Sequence, residues 1–189
     1  MSQRILAVDD EPHMLMLLER IIKEKTPYQI TVTSNSLEVP DLLEQTEFDL
    51  IISDLKMPGL DGMDLLRLIK GQGRFEEMII ITAFGSLESA IEALSVGVFD
   101  YITKPFKREQ IIFTVDRAMR WQDMKRQAKQ MAKILEAEPY AEAQRAFERE
   151  YVRRLAERCG GDETAMAERS GLSAASVAAG MKDEGPDAD

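Results

Sequence analysis

Five short apolar runs alternate with helical patterns between residue 3 and about residue 120, and this alternation restricts the possible folds more than any other feature. An apolar run followed by a helical pattern predicts a β-strand and an α-helix, and consecutive units of this kind predict a parallel sheet with helices on both faces. Three runs, ILAV, LII and MIII, are apolar at consecutive positions, which is expected of strands buried on both faces. The chain is therefore predicted to be an α/β protein with these three strands at the centre of its sheet.

Beyond residue 107 the pattern stays helical to about residue 138, and Pro139 then interrupts it. This segment is longer than the last helix of the sheet domain requires, so we interpret its second part as a linker. One stripe in it has alternating spacings of three and four residues: Trp121, Met124, Ala128, Met131 and Leu135. The spacing is typical of a two-helix coiled coil, but so short a stripe also fits a single helix that packs on its own domain.

A length of 189 residues accommodates one ordinary domain and a smaller appendage. We divide the chain into an α/β domain at 1–120, a helical linker at 121–138, a small helical domain at 139–182 and a disordered tail at 183–189.

The chain is acidic, with a formal net charge of -10 and a pI near 4.8. Such a charge opposes non-specific attraction to nucleic acid, so DNA binding requires a local basic patch. No apolar run approaches the roughly 18 residues that span a bilayer, and Asp9, Asp10 and Glu11 interrupt the apolar core that a secretory signal needs. We therefore expect a cytoplasmic protein without a membrane segment. The single Cys159 and the single His13 make disulfide, redox and transition-metal chemistry unattractive interpretations.

Polar residues follow the predicted strands at the point where each strand ends. Asp9 and Asp10 follow the first strand, Asp54 the third, Thr82 the fourth and Lys104 the fifth. The carboxyl ends of parallel strands meet at one edge of a sheet, so these side chains are expected to lie together. Three crowded carboxylates repel one another unless a hard cation lies among them, and oxygen ligands favour Mg²⁺. The sequence therefore predicts a magnesium site.

A carboxylate beside Mg²⁺ can attack the phosphorus of a phosphoryl group while Lys104 offsets charge on another oxygen. Asp54 is the predicted nucleophile, because it ends a central strand and precedes a loop, LKMPG, that can offer a backbone carbonyl to the metal. Each residue alone has a simpler interpretation: Asp9 and Asp10 can cap the first helix, Thr82 can end a strand, and Lys104 can be a surface lysine. Their occurrence together favours the phosphoryl-accepting site.

With these motifs the sequence resembles the receiver domains of two-component response regulators. The segments LAVDDEP, DLIISDLKMPGLDGMDLL and IIITAFGSLESAIEALSVGVFDYITKPF stand in the family's order and at its separations, over residues 3 to about 120. The resemblance implies a doubly wound, flavodoxin-like sheet of order 2-1-3-4-5 and a sensor histidine kinase as the phosphoryl donor. The segment AFGSLES and the residues that follow it are most similar to the NtrC-type branch of the family.

The resemblance also implies metal-binding roles for individual residues. Asp10 and Asp54 would bind Mg²⁺ directly, Asp9 would bind it through water, and Lys56 would bind it through its backbone carbonyl. Asp54 would carry the phosphoryl group.

Three further residues take switching roles by the same resemblance. Lys104, before a cis Pro105, would pair with the phosphoryl group, and Thr82 would move to a phosphate oxygen. Phosphorylation adds about two negative charges to the site, which draw Thr82 and Lys104 toward the phosphate. Tyr101, otherwise interpreted as a core aromatic, would then turn inward into the space that Thr82 leaves. The face formed by residues 86–96, residues 99–101 and the last helix of the domain is expected to change and to bind partners. Because the product is a signal, we do not class the protein as an enzyme.

The region after Pro139 resembles the Fis-like helix-turn-helix of the NtrC-type branch, on the strings FEREYVRRL and AMAERSGLS. Gly171 serves the turn, and seven apolar residues are predicted to form the core: Phe147, Tyr151, Leu155, Ala167, Leu172, Val177 and Met181. The sigma-54-activating ATPase of that branch is not expected here, because GxxxxGK[ST] does not occur and the GQGR at Gly71 lacks the lysine.

The charge of this region departs from a DNA-binding helix. Residues 173–181 read SAASVAAGM, without the basic or amide side chains that reach bases and phosphates. The preceding helix carries Arg145, Arg149, Arg153, Arg154 and Arg158, but glutamates interleave with them, which indicates a solvated, self-paired face. Two outputs stay open: a DNA-independent interaction protein, in which the tail dimerises or docks a partner, and a phosphorylation-controlled DNA-binding regulator. The chemistry favours the first, and a homodimer is expected in either case.

Overall fold

The computed structural model describes residues 3–136, 140–173, 176–178 and 181, and all structural statements below refer to these residues. The chain consists of two compact units, and the boundary between them lies between Lys125 and Arg126.

The first unit alternates strands and helices in the predicted order. Its strands are β1 (Arg4–Val8), β2 (Gln29–Thr33), β3 (Leu50–Ser53), β4 (Glu77–Thr82) and β5 (Asp100–Thr103). Its helices are α1 (Pro12–Lys25), α2 (Val39–Gln45), α3 (Gly62–Gly71), α4 (Leu87–Val96) and the beginning of α5 (Arg108–Glu136), with a short 3₁₀ helix at Ser36–Glu38.

The strands form one sheet of order β2-β1-β3-β4-β5, in which every neighbouring pair is parallel. This confirms the predicted fold class and strand order. The strands β3 and β4 are buried along their whole length, and β1 is buried after its first residue. The uninterrupted apolar runs therefore do mark the centre of the sheet, where both faces are covered.

Two apolar clusters lie on the two faces of the sheet. One includes Leu18 and Ile22 of α1 with Val115 and Met119 of α5. The other includes residues of α2, α3 and α4, among them Leu43, Leu66 and Ala93. Because helices cover both faces, the carboxyl edge of the sheet is where polar side chains collect.

The helix α5 continues well past residue 120, the predicted end of the α/β domain. Gln122 is fully buried, and its side-chain amide donates to the backbone carbonyls of Asp49 and Phe75. The indole of Trp121 donates to the Glu77 carboxylate at 3.0 Å, and the Lys125 ammonium lies 2.7 Å from the same carboxylate. These contacts hold α5 to the amino-terminal end of β4 as far as Lys125.

The second unit contains the end of α5, α6 (Tyr140–Cys159) and α7 (Glu163–Ser170), with helical residues at 176–178. Gly171 follows α7 in a left-handed conformation, φ 71°, as the predicted turn requires. Residues 137–139, which include the predicted break at Pro139, and the predicted disordered tail at 183–189 lie outside the described residues.

The apolar core of the second unit differs from the predicted one. Leu155 and Val177 are buried and Ala167 packs against them, but the other buried members of this apolar cluster are Val152 and Met166. Four residues of the predicted core are exposed instead: Phe147, Tyr151, Leu172 and Met181. The prediction was wrong for these four residues. Helical spacing groups apolar residues on one face of a helix, but it does not determine which of them contact a neighbouring helix. Phe147 and Tyr151 stack on each other at the surface, with ring centroids 6.2 Å apart.

Candidate functional site

Four side chains singled out in the sequence lie at the carboxyl edge of the sheet. The Lys104 ammonium is 2.8 Å from an Asp9 oxygen and 2.8 Å from an Asp54 oxygen. Thr82 at the end of β4 is completely buried, and its backbone carbonyl accepts from the Lys104 backbone amide at 2.7 Å. The fold therefore brings together side chains from the ends of β1, β3, β4 and β5.

Each carboxylate is held from two sides. In Asp9 one oxygen accepts from the Glu11 backbone amide at 2.9 Å, while the other meets Lys104. In Asp54 one oxygen accepts from the Lys56 backbone amide at 2.7 Å, while the other meets Lys104. Both carboxylates are thus oriented by the loop that follows their own strand, and they share one cation, which balances one of their two charges.

The helix-capping interpretation of Asp9 and Asp10 does not describe this arrangement. The residue at the N-cap of α1 is Glu11, with Pro12 in the first turn, and the Glu11 side chain makes no capping hydrogen bond. Asp9 is buried and bonded to Lys104, whereas Asp10 is exposed at the same edge. The peptide bond between Lys104 and Pro105 is cis, as the resemblance implied.

Two buried acidic side chains lie close together in this site. Burial raises the pKa of Asp9 above 3.8, and the charge of neighbouring Asp54 adds to this, although Lys104 partly compensates. Burial alone would lower the pKa of Lys104, but its hydrogen bonds to Asp54 and Asp9 outweigh burial and raise the pKa above 10.5. One ammonium is therefore shared by two buried carboxyl groups, and a further cation is electrostatically favoured there.

The donor set suits Mg²⁺ chemically, although it is not assembled as a complete ligand shell. Asp9 and Asp54 offer buried carboxylate oxygens, Asp10 follows Asp9 at the exposed rim, and Lys56 begins the loop after Asp54. Oxygen-only donors of this kind fit a hard divalent cation that keeps several water ligands. Among the described residues, however, no three Asp, Glu, His or Cys side chains are arranged as a metal-binding group. Lys104 occupies the position between the two buried carboxylates.

Thr82 and Tyr101 lie near each other on adjacent strands but have separate partners. The Thr82 hydroxyl accepts from the Phe84 backbone amide at 3.1 Å. The Tyr101 hydroxyl lies 2.9 Å from the hydroxyl of Ser89 in the first turn of α4, and the Tyr101 ring is half-buried. Tyr101 therefore packs against the apolar core while its hydroxyl bonds Ser89, and it is not bonded to Thr82.

Sequence reasoning missed two serines that contact this region. Ser89 bonds Tyr101 and also forms a capping box with Ser86 at the start of α4. Ser36 bonds the loop between β3 and α3 through two backbone groups, at Pro58 and Leu60. The S-x-x-S spacing before an apolar helix could have indicated the first, whereas nothing local to Ser36 indicated the second.

Two arginines of α6, Arg153 and Arg154, are paired with carboxylates of the same helix. Glu150 is buried and accepts hydrogen bonds from Arg153 and Arg154 as well as from Gln130 of α5. A second carboxylate, Glu157, also pairs with Arg153. The predicted self-paired face is therefore observed for these two arginines.

No helix within the described part of the chain is long and apolar enough to cross a membrane.

Residues 5–116 match the family described as "Response regulator receiver domain". The DNA-binding transcriptional regulator NtrC of Klebsiella pneumoniae is 37% identical over 112 residues, which cover 59% of this chain and 24% of that protein. The response regulator protein PilR of Pseudomonas aeruginosa is 36% identical over 118 residues, covering 62% of this chain and 26% of the relative. The chain thus spans about a quarter of the length of these relatives.

Solved structures agree with the sheet described above. The signal receiver domain of a putative Luxo repressor protein from Vibrio parahaemolyticus is similar with a TM-score of 0.65 and 26% identity, covering 68% of this chain and 98% of that one. The beryllofluoride-activated NtrC4 receiver domain dimer is similar with a TM-score of 0.59 and 28% identity, covering 63% and 98%. With its site residues at the carboxyl edge of a 2-1-3-4-5 sheet, and with NtrC-type and PilR-type relatives, the chain belongs to the response regulator receiver domain family.

Proposed function

We propose that the protein is a phosphorylation-controlled response regulator that accepts a phosphoryl group on Asp54 from a sensor histidine kinase. The observation that carries this proposal is the Lys104 ammonium, which lies 2.8 Å from both Asp9 and Asp54. A buried carboxylate beside a fixed cation is an oriented nucleophile, and the cation can stabilise charge that develops on a phosphoryl oxygen.

In the transfer, an Asp54 carboxylate oxygen forms a bond to phosphorus. The bond between phosphorus and the kinase histidine nitrogen breaks, and that nitrogen keeps the electron pair. The Lys56 backbone amide holds the second Asp54 oxygen, so the attacking oxygen is the one that faces Lys104.

Mg²⁺ held by Asp9, Asp10, Asp54 and the Lys56 carbonyl would supply the remaining positive charge for the transferred oxygens. The crowding of two buried carboxylates around one ammonium supports this need for a further cation. Because the product stays on Asp54 as a signal, we do not propose turnover of an external substrate.

We propose that the switch runs through Thr82 and Tyr101 to the face that includes α4 and β5. The Thr82 hydroxyl accepts a hydrogen bond from the Phe84 backbone amide, and the Tyr101 hydroxyl is bonded to Ser89 on α4. A move of Thr82 toward a phosphoryl oxygen would open space for the Tyr101 ring and weaken its bond to α4. The face would then favour a different partner or a second copy of the chain, as in the dimer of the activated NtrC4 receiver domain.

For the output, we propose a DNA-independent interaction through the helical tail. The observations that support it are the pairing of Arg153 and Arg154 with Glu150 and the absence of basic residues from 173–181. The alternative is a DNA-binding regulator, which the name of the NtrC relative favours. Salt-dependent retention of the dimer on DNA, abolished by substitution of Arg153 and Arg154, would establish the alternative, and lack of binding at low salt would exclude it.

The test of the phosphorylation proposal uses the full chain and acetyl phosphate. Wild type should gain a phosphorylated species on a phosphate-affinity gel in Mg²⁺ and none in EDTA, and Asp54→Asn should gain none. Asp61→Asn is the matched control, since Asp61 caps α3 and does not belong to the pair of Asp9 and Asp54. Asparagine is an equally good N-cap residue, so this variant should be phosphorylated like wild type. Phosphorylation of Asp54→Asn at the wild-type rate would refute the proposal.

A further inference from the structure

The side chain of Ser36 joins the 3₁₀ helix after β2 to the loop between β3 and α3. Ser36 is 2% exposed, and its hydroxyl donates to the Pro58 carbonyl at 2.8 Å and accepts from the Leu60 backbone amide at 2.9 Å. One hydroxyl thus satisfies a backbone acceptor and a backbone donor that lie 22 and 24 residues further along the chain.

The loop is closely packed around that hydroxyl. Gly59, between the two bonded residues, has φ 86°, a conformation that glycine adopts without steric cost. A Cβ atom at Gly59 would lie 2.9 Å from the Leu37 side chain and 3.0 Å from the Ser36 hydroxyl. The turn at Gly59 therefore takes its position from the 3₁₀ helix that carries Ser36.

The other end of the same loop lies in the carboxylate site. The Lys56 amide donates to Asp54, and the Gly62 amide donates to the Leu55 carbonyl at 2.9 Å, which closes the base of the loop. A Cβ atom at Gly62 would approach the Asp54 carbonyl to 2.4 Å, so the two ends of the loop touch. Lys56 consequently stands between two anchors, Asp54 at the base and the Ser36 hydroxyl at the tip.

We propose that Ser36 is a positioning residue for the magnesium site, because it fixes the loop that presents the Lys56 carbonyl. This inference rests on the proposed function, which needs Mg²⁺ beside Asp54. Ser36 touches neither metal nor phosphoryl group and acts through the loop alone. Without the Ser36 hydroxyl the Pro58 carbonyl and the Leu60 amide lose their shared hydrogen-bond partner, and the loop becomes less ordered. Binding of Mg²⁺ must then order the loop, and the entropy lost in doing so weakens the affinity for Mg²⁺.

The test compares Ser36→Ala with wild type in the full chain, with the rate of phosphorylation by acetyl phosphate measured as a function of Mg²⁺ concentration. The half-saturating Mg²⁺ concentration should rise about tenfold, because Ser36 would orient a metal ligand without binding the metal itself. The rate of phosphorylation at saturating Mg²⁺ should stay within about twofold of wild type. NMR can follow the Lys56 amide resonance as Mg²⁺ is added without any phosphoryl donor. The half-saturating Mg²⁺ concentration from this titration should rise by the same factor in Ser36→Ala.

Two further variants separate positioning from general stability. Ser95→Ala is the matched control, since its hydroxyl bonds the Glu92 carbonyl on the exposed side of α4, and it should titrate like wild type. Ser36→Gly removes the same hydroxyl with a different side-chain volume and should reproduce Ser36→Ala.

Variants of Ser36 that melt at a lower temperature but keep the wild-type Mg²⁺ titration would overturn the inference and leave the proposed function intact. A wild-type chain that shows no Mg²⁺-dependent phosphorylation would overturn the proposed function, and the role of Ser36 with it.

Discussion

The hydroxyls of Tyr101 on β5 and Ser89 on α4 lie 2.9 Å apart, so one hydrogen bond ties the fifth strand to the first turn of the helix beside it. Ser89 also closes the capping box with Ser86 that begins α4. The start of α4 is therefore held by a residue that responds to the phosphoryl site in our proposal.

Substitution Ser89→Ala should loosen the start of α4 before phosphorylation. The variant loses the bond to Tyr101 and half of the capping box, together about 1 kcal/mol, which corresponds to about fivefold faster amide exchange in the first turn. Hydrogen exchange measured by mass spectrometry checks this, with Ser95→Ala as the control at the other end of the helix. Equal exchange of α4 in both variants would show that the bond to Tyr101 contributes nothing.

Substitution Thr82→Ala should separate phosphorylation from its consequence. The hydroxyl of Thr82 accepts a hydrogen bond from the Phe84 amide and is not bonded to Asp54 or Lys104, so its loss should leave phosphorylation of Asp54 largely intact. The change in dimerisation on phosphorylation should shrink, because Tyr101 no longer has a moving partner. Sedimentation with and without acetyl phosphate measures this, and equal gains of dimer in wild type and variant would contradict it.

Substitution Lys104→Met should destabilise the first unit in the absence of Mg²⁺. The variant leaves two buried carboxylates without their cation, which costs about 3 kcal/mol at neutral pH. Trp121 is the single tryptophan and lies in this unit, so its fluorescence during urea unfolding reports the loss.

The pH dependence of that loss has a defined sign. Lys104 has a raised pKa, so its stabilising contribution is complete below pH 10.5 and is lost only as the pH rises through the higher folded value. Asp9 also has a raised pKa, so it takes up a proton at a higher pH than an ordinary aspartate, and the penalty of Lys104→Met should shrink as the solution is acidified. Addition of Mg²⁺ at neutral pH should restore stability. A penalty that is equal at acidic and neutral pH would contradict this electrostatic account.

Substitution Glu150→Gln should loosen α6, whereas Glu157→Gln should not. Glu150 is buried and pairs with both Arg153 and Arg154, whereas the Glu157 side chain is 62% exposed and, within the described part of the chain, pairs with Arg153. We expect a loss of about 1–2 kcal/mol for Glu150→Gln, since its arginine partners are partly solvated, and little change for Glu157→Gln.

Hydrogen exchange of α6 peptides measures the effect of both variants.

The pKa of Glu150 is lowered because the hydrogen bonds of Arg153 and Arg154 outweigh its burial. Its contribution is therefore present above pH 4.5 and is lost as the pH falls through the lower folded value. Similar exchange rates in the two variants would show that burial of Glu150 does not matter.

The parts of this molecule that sequence predicts well are those in which one local pattern has one structural solution. Continuous apolar residues at β1, β3 and β4 require burial on both faces, and parallel strands then bring Asp9, Asp54 and Lys104 to one edge. The strand order and the shared position of these side chains followed from that reasoning together with the family resemblance.

The parts that sequence did not predict depend on distant partners. Ser36 and Ser89 are ordinary serines in the sequence, and their bonds to Pro58 and Tyr101 exist only once the sheet has formed. In the tail, helical spacing grouped Phe147 with Leu155, but the packing of α7 buries Leu155 and leaves Phe147 exposed.

Acceptance of the phosphoryl group by Asp54 is tested by locating that group with peptide mass spectrometry. The full chain would be phosphorylated with acetyl phosphate in Mg²⁺, and the aspartyl phosphate reduced with borohydride to fix its position. We expect modification of Asp54 alone. A phosphoryl group on Asp9, Asp10 or any other residue, with Asp54 unmodified, would contradict it.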